Sequence, residues 1–249
     1  MQISKLSRPP YAHNWVRYVF PDRARTTKEL VRFVTGFPTT TYSAASPIIR
    51  DRIVYGLDRR TALIAAMSKG RANSRGIVAE YVEAFYDYDE KRGYFGKPCF
   101  DEIIEPFRVG KGLVVPVKPL ITIVENGLQV PIFTVGWANF PLTIWQMRLL
   151  ATIFEDAVFS LTDFRKSPGE FLCFPKVGKG DSAKRQPLVW NRGDFELLSR
   201  NELRECLDEF LLALEDAKII LEAAHRKEQA EAPAVEERPL GETPLFDWR

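Results

Sequence analysis

Near the middle of the chain, residues 117–137 read VKPLITIVENGLQVPIFTVGW, and this run leaves little choice of structure. Two stretches of β-branched and aromatic residues flank Asn126-Gly127, the dipeptide that adopts the paired left-handed conformations of a type I′ turn. That turn predicts Glu125 opposite Leu128, Ile123 opposite Val130 and Ile121 opposite Ile132, one apolar face of a hairpin. The opposite face carries Leu120, Val124, Phe133 and Val135, so both sides must be covered. Pro131 falls opposite Thr122, where an N–H would point away from the hairpin toward the next strand, and proline has none to give. The second strand is therefore expected to be an edge, or bulged, near Pro131.

Helical patterns surround the hairpin. Thr26 and Glu29 form a T-x-x-E capping box, Leu30, Phe33 and Val34 share a face, and Gly36 suits the stop, which predicts a helix over 27–35. Ser46-Pro47 opens a second helix, Asp58–Ser68 a third, and Ser74 to Glu90 a fourth with Ile77, Tyr81, Val82 and Phe85 inward. Thr143 and Gln146 form another capping box, with Leu142 and Met147 as a hydrophobic staple, at the head of LTIWQMRLLATIFEDAVF. Its polar stripe is only Arg148, Thr152, Glu155 and Asp156, so the rest of its circumference should be buried against the sheet. Glu170–Val177 and Pro187–Trp190 read as strands flanking the loop GKGDSAKRQ. The last helix starts at Ser199, with Glu202 as its box partner. Leu203, Leu207, Phe210, Leu214, Ala217, Leu221 and Ala224 recur at 4-3-4-3 spacing, which suits a homodimeric coiled-coil seam over 199–225. Leu211, Leu212, Ile219 and Ile220 widen that stripe, which favours docking on the chain's own sheet. The class is α+β: a basic N-terminal helical segment, then a central antiparallel sheet containing the hairpin, packed by two long helices, and a disordered C-terminal tail.

Charge divides the same chain. Residues 1–79 hold 14 Lys+Arg against 4 Asp+Glu and residues 80–249 hold 21 against 29, so a total of +2 hides a segment of +10 and one of −8. Four parts follow: a basic, aromatic arm (1–25), a basic helical segment (26–92), an α+β core (93–225) and an acidic tail (226–249). Lys/Arg clustering is the footprint of a phosphate-binding face. Arg50, Arg52, Arg59, Arg60, Lys69, Arg71 and Arg75 are the expected contacts to DNA or RNA, and the short helices around the Lys69–Asn73 turn suit a helix-turn-helix. In the arm, Arg8, His13, Arg17 and Phe20 interleave with Tyr11, Trp15 and Tyr18, which stack on bases or else pin the arm to the body.

The tail ends in an apolar cluster, and Leu245, Phe246 and Trp248 are its candidate partner-binding residues. Glu242–Phe246 resembles the short peptide by which bacterial replication and repair proteins bind the sliding clamp, with Glu242 standing where that peptide has glutamine. The leading expectation is thus a non-enzymatic, nucleic-acid-associated protein whose acidic part meets a protein partner. A second is an assembly module in which the acidic portion binds the basic end of its own chain or of a second copy.

Most catalytic chemistries lack their residues here. His13 and His225 are the only histidines, no G-x-S-x-G or G-x-G-x-x-G occurs, and the two Val-Gly-Lys-Gly turns lack the first glycine of a phosphate loop. No catalytic residue, metal ligand or cofactor is therefore assigned. The option left is Mg²⁺ held by carboxylates, with Glu80, Glu83, Asp101, Glu102, Glu105 and Glu125 near Lys118 as candidates; the acids at 101, 102 and 105 otherwise simply begin a helix. The order helix, hairpin, helix, strand resembles the core of restriction-endonuclease-like nucleases. Their signature needs Asp on one strand and Glu-x-Lys on the next, whereas Pro131–Val135 carries no charge, so the resemblance implies an inactive, DNA-associated scaffold. Three widely spaced cysteines, no apolar run of about 18 residues and no leader-like start predict reduced thiols, no membrane span and a cytoplasmic setting.

Overall fold

The computed structural model describes residues 3–36, 42–69, 72–97, 99–100 and 103–231. Its strands are β1 (Cys99–Phe100), β2 (Glu105–Gly110), β3 (Leu113–Val117), β4 (Ile121–Glu125), β5 (Leu128–Val135), β6 (Glu170–Cys173), β7 (Lys176–Val177), β8 (Lys184–Arg185) and β9 (Leu188–Asn191). The helices are α1 (Ala12–Trp15), α2 (Arg23–Thr35), α3 (Ala45–Tyr55), α4 (Arg59–Ser68), α5 (Arg75–Arg92), α6 (Ile144–Phe154), which runs on into a π-helical turn at Glu155–Phe159, and α7 (Arg200–Glu231). The class is α+β, and among the described residues no helix is long and apolar enough to cross a membrane.

A five-stranded sheet in the order β1-β4-β5-β6-β9 forms the spine. Asn126 and Gly127 take φ of 52° and 76°, and β4 pairs with β5 in the predicted register, Ile121 with Ile132, Ile123 with Val130 and Glu125 with Leu128. Pro131 lies opposite Thr122, and β6 joins the far side of β5 only from Ile132 onward. The missing N–H therefore falls where no strand needs it, and β5 is an edge over its first half only. The β5–β6 pair is parallel because α6 carries the chain back across the sheet, so the sheet is mixed where an antiparallel one was expected.

Each face of the sheet carries its own core. Ile121, Ile123, Val130, Ile132 and Leu172 pack on one side with Ile48, Ile49 and Ile53 of α3, Ala62 of α4 and Val82 and Phe85 of α5. Phe133, Val135, Phe171 and Cys173 pack on the other with Leu149 and Ile153 of α6, and beyond them lie the arm, α2, α7 and the β2–β3 hairpin. Burying each of these large apolar side chains is worth about 1.5–3 kcal/mol. Residues 3–36 thus lie across the sheet from α3–α5, and the packing cuts across the boundaries suggested by charge.

Several local expectations are met and others are displaced by tertiary contacts. The Thr143–Gln146 capping box forms, and so does the Ser199–Glu202 pair. In α2 the cap is Asp22, which accepts from the Arg25 N–H at 2.6 Å, while Thr26 trades bonds with the Phe20 backbone, so that helix starts earlier than its Thr26 box predicted. Glu105 begins a strand paired with Val117 instead of a helix. The seam of α7 (Phe210, Leu214, Ala217, Leu221) is buried on α2 and the β2–β3 hairpin rather than on the central sheet, and Arg23 grips Asp216 at 2.7 and 2.8 Å. That helix runs through to Glu231, past the expected tail boundary at 226, because Lys, Glu, Gln and Ala all favour helix and Pro233 is the first residue to forbid it. Leu245, Phe246 and Trp248 lie outside the described residues.

Candidate nucleic-acid interface

The arginines singled out in the basic third do not remain a uniform cationic surface. Arg52 donates Nε to Asp89 at 2.6 Å, and Asp89 is 1% exposed. Arg59 meets Asp87 at 2.7 Å and Glu90 at 2.9 Å. The C-terminal half of α5 thus neutralises the two helices before it, and these two arginines hold the helical layer together. Arg60 and Lys69 are exposed, Arg50 and Arg75 are half-buried, and Arg71 lies outside the described residues, as does Gly70 in the turn of the expected helix-turn-helix.

The arm resolves toward packing. Trp15 is 2% exposed with its ring edge-on to Phe210 at 4.8 Å, so it drops out of the base-stacking set: core contacts occupy its ring. Tyr18 is half-buried against Phe33 at 4.8 Å, and only Tyr11 keeps an exposed ring, beside His13. Gln146 holds this arm by donating Nε2 to the carbonyls of Val16 and Val19 at 2.9 and 3.0 Å.

A basic surface missed in the sequence is built by the small β7–β8 hairpin. Its backbone is tied down by the Lys176 N–H donating to Ala138 at 2.7 Å and the Gln186 N–H to Pro175 at 3.0 Å, and β8 packs on α5. Lys176, Lys179 and Lys184 are exposed on it. Lys176 reaches Glu80 at 2.7 Å, about 7.5 Å along the helix from Arg75, so this lysine lies near the N-terminal end of α5. The positive pole of the helix points the same way. The signal was present in GKGDSAKRQ, whose two lysines and one arginine face one aspartate, but a connector between strands hid it.

Opposite Lys176 in the hairpin register lies Arg185, whose side chain is 2% exposed. Nη1 donates to the carbonyls of Gly136, Trp137 and Phe174 at 3.2, 3.3 and 2.7 Å. Its guanidinium carbon stands 5.4 Å from the Tyr42 ring and 5.9 Å from that of Tyr81, which itself hydrogen-bonds Thr134. Gly136 is required here, since a Cβ would lie 2.5 Å from Tyr42 and 2.7 Å from Tyr81. Burial pushes the Tyr81 hydroxyl pKa upward, so the ring is neutral.

No family model matches this chain, and no curated protein matches it significantly in sequence.

The carboxylates proposed for Mg²⁺ are dispersed. Glu80 sits near the start of α5, whereas Glu125 is bound to Arg92 at its end, about 18 Å along the helix. Asp101 and Glu102 lie outside the described residues, within which no group of three His, Cys, Asp or Glu converges. Arg92 bridges Glu125 and Glu170; Lys97 also meets Glu125, and the Tyr94 hydroxyl donates to Glu170. Hydrogen bonds from Arg92, then from Lys97, hold the Glu125 carboxyl down at about 2 against the cost of burial. On the other sheet face, Phe171 and Trp190 stack at 5.0 Å, with Phe195 edge-on at 5.2 Å, in a largely apolar cleft lined also by Glu170 and by Arg192 and Glu155, which bind each other.

Proposed function

We propose that this protein binds nucleic acid, meeting the phosphate backbone with Lys176, Lys179 and Lys184 of the β7–β8 hairpin and with Lys69 of the helical layer. The observation that carries the reading is the seating of the hairpin on α5, which brings a segment with three exposed lysines to the N-terminal part of that helix. Such a cluster attracts polyanions and releases counterions when they bind. A protein partner for Leu245, Phe246 and Trp248 and a cytoplasmic setting belong to the same proposal; their support is the apolar cluster at the end of an acidic segment and the absence of a disulfide pattern.

The test is a titration against single- and double-stranded DNA and RNA over a salt series, with the wild-type chain and with K179A/K184A. The double variant should lower the log–log salt slope by about 0.7–0.9 per lost contact. An unchanged slope and affinity would remove the hairpin from the interface.

A further inference from the structure

This chain sets Arg192 and Arg185 in the same kind of backbone cradle. Arg192 gives Nη1 to the carbonyls of Phe164, Arg165 and Ser167 at 3.2, 2.8 and 2.8 Å, and turns its Nε–Nη2 edge onto both carboxylate oxygens of Glu155. Arg23 presents the same edge to Asp216. Arg185 likewise spends Nη1 on three carbonyls, yet its buried Nε and Nη2 meet no hydrogen-bond acceptor among the described residues. A carboxylate oxygen nearby, Glu80 Oε2, stands 3.7 Å from Nε, beyond hydrogen-bond reach, and is already held by Lys176 at 2.7 Å. An Nε–Nη2 edge matches two oxygens of one carboxylate or phosphate.

We propose that the Arg185 edge seats a phosphate monoester, the terminal phosphate of a nucleic-acid strand, with Lys176 as its second cation; this rests on the nucleic-acid reading above. Recess selects the terminus. The Arg185 side chain is 2% exposed beside the exposed Lys176, and an internal diester, tied to sugars through two of its oxygens, engages the lysines but cannot descend. A monoester hangs from one oxygen, keeps three for the donors and carries nearly two negative charges at neutral pH. The Tyr42 and Tyr81 rings wall the guanidinium on its apolar side, where a charged hydrogen bond is stronger than in water. Glu80, with a side chain 46% exposed, swings outward to admit the anion and opposes it electrostatically until it does.

The experiment compares one single-stranded oligonucleotide bearing a 5′-phosphate, a 3′-phosphate or only hydroxyl ends, bound to the full chain, with inorganic phosphate as competitor. One phosphorylated end should bind about tenfold tighter than the hydroxyl-ended strand. Arg185→Lys, which keeps the charge and loses the fork, should shrink that preference below about threefold. Glu80→Gln, which leaves the cradle untouched, should enlarge it, so the proposal stays testable if Arg185→Lys fails to fold. Equal affinity for phosphorylated and hydroxyl ends would overturn the seat and leave the nucleic-acid reading standing. No salt-dependent binding of any strand would overturn that reading instead. If thermal stabilisation by inorganic phosphate then persists in wild type and vanishes in Arg185→Lys, the seat belongs to free phosphate compounds and the terminal-phosphate assignment falls.

Discussion

Arg92 meets Glu125 and Glu170 together, with both carboxylates and the guanidinium less than a third exposed. Removing the cation leaves Glu125 to Lys97 and Glu170 to the Tyr94 hydroxyl in a poorly hydrated place, so Arg92→Ala should cost about 3 kcal/mol in denaturant unfolding. The same network sets an acid limit. Glu125 titrates at about 2 when folded and near its ordinary 4.5 when unfolded, so its contribution is whole above 4.5 and is lost as pH falls from there toward 2. His13 adds a higher window: burial, and then the Arg17 charge, lower its pKa from 6.5 to about 4, so the unfolded chain takes up the proton first. Stability should fall between pH 6.5 and 4, and His13→Gln should flatten that limb in a series of urea midpoints. Thr122 offers the opposite sign. Its buried hydroxyl has no partner among the described residues, so Thr122→Val should raise stability by about 1 kcal/mol. None of these meetings is written in sequence proximity, for Arg92 lies 33 and 78 positions from its two acids.

Elements were legible where their signals are local. The Asn126-Gly127 turn and the Thr143–Gln146 box each act within a few residues, and both form as their chemistry requires. Thr26 made an equally good box on paper, but the Phe20 backbone claims its hydroxyl, so Asp22 caps α2 instead. Gln146 belongs to both levels, since it closes the cap of α6 and fastens the arm through the Val16 and Val19 carbonyls. Gln146→Ala should therefore cost about 2–3 kcal/mol. Limited proteolysis should then cut within residues 3–20 faster than in wild type; a wild-type cleavage rate there with unchanged stability would refute the tether.

At the scale of the molecule, the basic third and the acidic remainder do not stay apart. Arg23 pairs with Asp216, 193 positions away, and Arg52 with Asp89, 37 away, so part of the +10 excess is offset by acids of the other portion. What stays exposed is a smaller cationic face that includes lysines from the acidic portion. K176A/K179A/K184A should accordingly weaken nucleic-acid binding more than R52A/R59A, whose main effect should be lower thermal stability. The heptad-like seam of α7 obeyed the same logic, since an apolar stripe specifies burial and leaves the burying surface open. By itself the sequence determined the α+β class, the central hairpin with its register, the positions of most helices and the stop that Pro131 imposes on pairing, because each depends on backbone preferences or on spacing within one element. The tertiary structure alone decided the parallel crossover to β6, the burial of Trp15 and which cations are neutralised. It also decided which guanidinium was left with an unpartnered edge, because these are settled by contacts between segments whose separation along the chain carries no local signal.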